Sequence, residues 1–157
     1  MPINKSIFIR DIIKELEEEN VAVFAGAGLS MPAGYVSWGE LLKPIAEELG
    51  IDIKKEYDLV SIAQYYLNEN GGHRSELNRR LIEVFTQNTN TTENHKILAR
   101  LPIKHYWTTN YDKLIEQSIE EQSKKVDVKY TKKHLSITIP KRDAIIYKMH
   151  GDISSPD

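Results

Sequence analysis

Val23-Phe24-Ala25-Gly26-Ala27-Gly28-Leu29-Ser30 is the stretch that decides how the rest of the chain is read. The apolar run Val21–Ala25 has the character of a short strand buried on both faces, as in a parallel sheet. It ends in two glycines one residue apart, followed by a serine. Two glycines strip side chains from the backbone, so bare N–H groups can face phosphate oxygens and Ser30 can add a hydroxyl donor. A tight strand-to-helix turn explains Gly-x-Gly equally well. The dinucleotide fingerprint requires a third glycine where this chain has Met31, which disfavours an ordinary dehydrogenase. No phosphate-loop Lys-Ser/Thr pair follows, which disfavours a nucleoside triphosphatase.

Working outward, two more apolar runs share this design. Ile103–Trp107 leads into Thr108-Thr109-Asn110-Tyr111-Asp112, and Ala144–Met149 leads into His150-Gly151-Asp152. Val126–Thr131 alternates and reads as a strand at a sheet edge. In an open parallel α/β sheet, ligands bind beyond the carboxyl ends of the strands. Three strands ending in small or polar motifs therefore predict one convergent site on a Rossmann-like parallel sheet.

The remaining segments read as helices. Residues 3–19 place Ile3, Ile7, Ile12, Ile13 and Leu16 near helical spacing, with Glu15, Glu17, Glu18 and Glu19 as a solvated face. Ser37-Trp38-Gly39-Glu40 fits a capping box for a helix to about Leu49, with Gly50 as its stop and Pro44 as a potential break. Asp58 caps a helix carrying Leu59, Ile62, Ala63, Tyr66 and Leu67, which Asn70-Gly71-Gly72 ends. Ser75 opens another, with Leu77, Leu81, Val84 and Phe85 on one face; Gln87–Thr92 is a loop, and Glu93–Arg100 a short helix. A helix is expected over about Asp112–Gln122. The domain reading is thus Rossmann-like elements over about 1–36 and 101–157, with a mostly helical insertion over about 37–100.

Composition narrows the function. The chain has 157 residues, enough for one domain, with 40% hydrophobic and 28% charged residues. A net charge of −2 and 8% aromatic residues give no argument for nucleic acid or an anionic membrane as partner. No apolar run approaches the ~18 residues of a spanning helix, and the charged N-terminus lacks a signal-peptide core, so a cytoplasmic protein is expected. The absence of cysteine removes thiol catalysis and cysteine-ligated zinc, and with no His-x-x-x-His pair no metal site is expected.

Individually, the candidate residues have local explanations. Asn110 and Asp112 suit a turn and a helix cap. His150, at a strand end beside Gly151 and Asp152, stands where a general base is useful at neutral pH. His73, His95, His105 and His134 have no comparable setting. Trp38 reads as a packing residue that can border a pocket next to the glycine loop.

Taken together and in this order, the three motifs resemble the sirtuin superfamily. The stretches FAGAGLSMPAGYVSW, ENHKILARLPIKHYWTTNYDKLIE and RDAIIYKMHGD are most similar to its cysteine-free bacterial branch, the NAD-degrading effectors of the Thoeris anti-phage system. The resemblance implies that Gly26, Ala27, Gly28 and Ser30 cradle the diphosphate of NAD⁺. It implies that Asn110 holds the nicotinamide ribose and orients a water, that Asp112 lies near the carboxamide, and that His150 is a base or stabiliser at the ribose hydroxyls. The implied reaction is hydrolysis of NAD⁺, as substrate, to nicotinamide and ADP-ribose, depleting cellular NAD in antiviral defence. A catalytically inactive NAD- or ADP-ribose-binding or oligomerisation module is the alternative. Protein deacylation is disfavoured by the missing zinc cysteines. The resemblance further implies a sheet that continues past His150-Gly151-Asp152, so the chain is expected to be the N-terminal, truncated part of a sirtuin-like domain. A homo-oligomer is expected, as is a cyclic ADP-ribose signal acting through a C-terminal domain outside these residues.

Overall fold

A computed structural model of the chain describes residues 4–56, 58–85 and 89–155. The expected helix start at Ile3, the first two residues of the Gln87–Thr92 loop and the C-terminal Pro156-Asp157 lie outside the described residues.

The helices form where side chains cap them and apolar stripes repeat. α1 spans Lys5–Glu17 and is capped by Asn4, whose Oδ1 accepts from Ser6 N at 3.0 Å and Ile7 N at 3.4 Å. β1 covers Ala22–Ala25, followed by one helical turn, α2, at Ala27–Ser30 and a 3-10 turn at Met31–Ala33. α3 spans Trp38–Glu48, and its capping box is formed: Ser37 N donates to Glu40 Oε2 at 2.8 Å and Glu40 N to Ser37 Oγ at 3.3 Å. It runs straight through Pro44, since four buried residues (Leu41, Leu42, Ile45 and Ala46) outweigh one lost intrahelical hydrogen bond. α4 covers Leu59–Glu69 under an Asp58 cap, α5 Ser75–Phe85 and α6 Glu93–Arg100.

Next come β2 (His105–Thr108), α7 (Leu114–Glu120), β3 (Val126–Lys129), α8 (Lys132–Ser136) and β4 (Ala144–Lys148). The four strands form one all-parallel sheet in the order β1-β2-β4-β3, so β3 is an edge strand as its alternation predicts. The fold is α/β and Rossmann-like. α8 was not legible in the sequence; Thr131 caps it by accepting from His134 N at 3.3 Å.

Two apolar clusters hold these elements. One joins Ala25, Tyr106 and Ile146 of the sheet to Ala99 of α6 and Ile115 and Ile119 of α7. The other joins α3, α4 and α5 through Leu42, Ile45, Ile62, Tyr66, Leu77 and Leu81. The opposite sheet face is open beside β1 and β2, which corrects one expectation. β1 is not buried on both faces: it is the other edge strand, and Phe24 is 68% exposed. Trp107, on the same face, stacks on Tyr147 with ring centroids 4.2 Å apart.

Ile146 is fully buried at the centre of the sheet cluster. Ile146→Ala should cost about 2–5 kcal/mol, through lost apolar transfer and the cavity left behind. Urea unfolding measures it; a loss below about 1 kcal/mol would mean the sheet does not anchor the core there.

Candidate functional site

Parallel register sets the site. Ala25, Thr108 and Lys148 stand in one row across β1, β2 and β4. Past that row each strand departs into its motif at the same sheet edge. Main-chain bonds stitch the departures together: Thr109 N donates to Ala25 O at 3.3 Å and Met149 N to Thr108 O at 2.8 Å.

Asn110 joins the first two motifs. Its Nδ2 donates to Gly26 O at 3.0 Å and to Ser30 Oγ at 2.9 Å, and its own N–H donates to Thr108 Oγ1 at 3.0 Å. Asn110 and Ser30 are both buried. The amide nitrogen is thus committed to holding the glycine loop, and Oδ1, which takes no hydrogen bond from the described residues, is the atom left for a water or a hydroxyl. The glycines are not there for unusual backbone: Gly26 is extended at φ −119°, and Gly28 has no positive φ. A Cβ on Gly28 would meet nothing within 4 Å, so no protein atom crowds that position. The bare backbone faces open space, as an approaching ligand needs.

Asp112 is only 3% exposed. Its Oδ1 accepts from Leu114 N at 3.0 Å, an Asx-type turn that leads into α7, whose N-cap position is Lys113. Its Oδ2 is buried without a hydrogen-bond partner. His95 Nε2 is likewise buried and unpartnered. Thr92 N donates to His95 Nδ1 at 3.3 Å, which places the proton of the neutral ring on Nε2. Burial pushes the His95 pKa down, while the Asp112 charge pulls it partly back.

His150 sits apart from this cluster. It is exposed and lines a cavity of about 860 Å³ between the helical segment and the sheet edge. Trp38, Arg74, Tyr111, Tyr130 and Gly151 share that lining, whereas Gly26, Ser30, Asn110 and Asp112 do not. Tyr111 is the divider: it follows Asn110 in the chain, meets Trp38 edge-on at 5.8 Å, and its Cε1 would lie 3.6 Å from a Cβ on Gly151. Gly151 has φ +101°, which only glycine adopts without strain, so the turn after His150 requires it. The structure therefore unites Gly26, Ser30 and Asn110 directly and places His150 across Tyr111 from them. Trp38 lines the cavity that holds His150, a cavity the glycine-loop residues do not share. Arg74 and His95 escaped sequence reading, because nothing in their own segments marks them, and Tyr111 was given no role within its motif.

Beneath the site lies a buried cation. Lys148 is fully buried, and its Nζ donates to Asp152 Oδ2 at 2.6 Å, Asp112 O at 2.6 Å, Tyr111 O at 3.0 Å and Glu116 Oε1 at 3.1 Å. Its signal in the sequence is a lysine inside the otherwise apolar run Ala144–Met149. Burial drives the Glu116 carboxyl above its ordinary range, against the pull of the Lys148 charge. For Asp152 burial pushes the same way, but Lys148 and the hydrogen bonds from Lys148 and Ser154 outweigh it and hold the carboxyl low. Among the described residues no helix is long and apolar enough to cross a membrane.

Comparison with known proteins agrees with the resemblance read from the motifs. Residues 104–157 match the SIR2-like domain. Over 150 residues the chain is 61% identical to "NAD(+) hydrolase ThsA" of Bacillus cereus (strain MSX-D12), covering 96% of this chain and 32% of that protein. Over 153 residues it is 59% identical to "NAD(+) hydrolase ThsA" of Acinetobacter baumannii (strain 532279), covering 98% of this chain and 32% of the relative. It is 30% identical over 149 residues to "Defense-associated sirtuin 2" of Bacillus subtilis, covering 92% of this chain and 14% of that protein. The chain thus spans about a third of the length of the first two.

The raised Glu116 carboxyl gives a signed prediction. A carboxyl whose folded pKa exceeds its unfolded value, here about 4.5, adds stability below that value and loses it as pH rises through the folded pKa. Glutamine has no such loss. Glu116→Gln should therefore gain stability relative to the native protein as pH is raised from about 4 to about 8. The difference in urea midpoint across that range reads it; a flat difference, or one moving toward the native protein, contradicts the assignment.

Proposed function

Starting from a chain whose similarity to sirtuin-like NAD(+) hydrolases runs along nearly its whole length, we propose that it forms the catalytic edge of an NAD⁺ glycohydrolase. The reaction is cleavage of the nicotinamide–ribose bond with water as acceptor, releasing nicotinamide and ADP-ribose. The observation that carries this reading is the Asn110 amide bridging Gly26 and Ser30, which binds two motifs into one open, side-chain-free cradle.

Nicotinamide in NAD⁺ leaves as a neutral molecule from a cationic ring, so the site needs no acid to protonate it. The transition state has oxocarbenium character, as in glycoside cleavage, and is served by orientation, electrostatic support and a placed nucleophile. Gly26, Ala27, Gly28 and Ser30 lie against the diphosphate. Asn110 turns Oδ1 toward the ribose and the attacking water. Asp112 has one atom to offer the carboxamide, its unpartnered Oδ2. His150, from the cavity side, acts at the ribose hydroxyls as base or stabiliser. The segments over about 1–36 and 101–157 hold the nucleotide, and the helical segment over about 37–100 supplies the far wall of the cavity. In the cell this activity depletes NAD⁺ in antiviral defence. The protein works in the cytoplasm as a homo-oligomer, with a cyclic ADP-ribose signal acting through a separate domain.

Asn110→Ala and His150→Ala should each lower nicotinamide release from NAD⁺ by roughly 100-fold or more, the scale of a lost acid–base or orienting group. Chromatographic quantification of nicotinamide, with circular dichroism to confirm folding, makes the test. If both folded variants turn over at the native rate, the site assignment is wrong.

A further inference from the structure

Lys148 takes no part in the chemistry above, yet its ammonium is heavily engaged at the sheet edge. Its ammonium has three protons and four acceptors within 3.1 Å, drawn from two separate loops and from α7. Two acceptors are the main-chain carbonyls of Tyr111 and Asp112, immediately after Asn110. A third is Asp152, two residues after His150. The fourth, Glu116, belongs to α7.

We propose that Lys148 is a positioning residue that locks the Asn110 loop and the His150 loop into one rigid unit. The inference rests on the NADase reading for what the two loops do, and on geometry alone for the lock itself. Core filling alone does not explain the residue, because the other fully buried position on its face of β4, Ile146, is filled by an apolar side chain. A buried ammonium is costly to desolvate and is retained here with its hydrogen bonds satisfied from both loops. Weaker stitches run parallel to it. Ile153 N donates to Tyr111 O at 3.1 Å, and Lys113 Nζ to Ser154 Oγ at 2.6 Å. Within the His150 loop itself, Ser154 N donates to Asp152 Oδ1 at 2.8 Å. Together with the main-chain bond from Met149 N to Thr108 O, the buried cation fixes the spacing between Asn110 and His150. Displacement by about 1 Å at such a spacing is enough to cost on the order of 100-fold in rate.

The test uses the full-length protein and two variants. Lys148→Met removes the cation, and Lys148→Met/Asp152→Asn also removes the carboxylate that would be left uncompensated. For each, kcat and KM for nicotinamide release are measured per folded molecule. Amide hydrogen exchange is followed over residues 109–113 and 150–154. The lock predicts that kcat falls at least about tenfold while KM stays within about threefold, and that both segments lose protection together while α6 keeps its own. A kcat per folded molecule equal to the native value, or protection unchanged in either segment, overturns it. Failure of both variants to fold assigns Lys148 a structural role and also overturns it. Should the native protein release no nicotinamide, the functional reading falls, and the exchange measurement alone decides the lock.

Discussion

All-parallel register is the constraint on which this molecule depends. With β1, β2 and β4 running in one direction and aligned row by row, their carboxyl ends reach the same edge together. Ala25, Thr108 and Lys148 form the last common row, and segments more than eighty residues apart in sequence, such as Gly26 and Asn110, become hydrogen-bonded neighbours just beyond it. An antiparallel partner would send one motif to the opposite end and dissolve the site. Long crossovers through α3–α6 and through α7, β3 and α8 are what parallel pairing requires. Those crossovers supply the apolar cover on one face and a wall of the cavity.

That constraint also explains what could be read from residues alone. The strands of the Ala144–Met149 and Ile103–Trp107 runs were legible because apolar character and the polar motifs after them mark strand and strand end together. The Ser37–Glu40 box and the Asp58 cap were legible because their partners lie within three residues. β1 was misjudged because a continuous apolar run looks the same whether or not something covers it; Phe24 is apolar and open. α2 and α8 were missed since four- and five-residue helices carry too few turns for a periodic signal.

The site divides along the same line. Gly26, Ser30 and Asn110 could be placed together because motif order and strand ends predict convergence, although which Asn110 atom faces a ligand could not. That depends on Nδ2 being committed to Gly26 O and Ser30 Oγ, a contact no spacing encodes. Asp112 serves the turn before α7 with Oδ1, which leaves Oδ2 without a hydrogen-bond partner. His95 looked idle in its own segment because its neighbourhood is made by Thr92 on one side and Asp112 on the other.

Charge placement gives these details one sense. Lys148 meets two carboxylates, Glu116 and Asp152; burial raises the Glu116 carboxyl, while the Lys148 charge and hydrogen bonds hold the Asp152 carboxyl low. Asp112, whose main chain rather than carboxylate meets Lys148, contributes an oxygen that no described hydrogen-bond donor satisfies. Proposed as an NADase, the site receives a substrate that is cationic at the nicotinamide ring and becomes cationic at the ribose as the bond breaks. Under that proposal the group to complement this charge is the Asp112 carboxylate in the turn before α7, whose Oδ2 has no hydrogen-bond partner among the described residues. Lys148 occupies the other two carboxylates, Glu116 and Asp152.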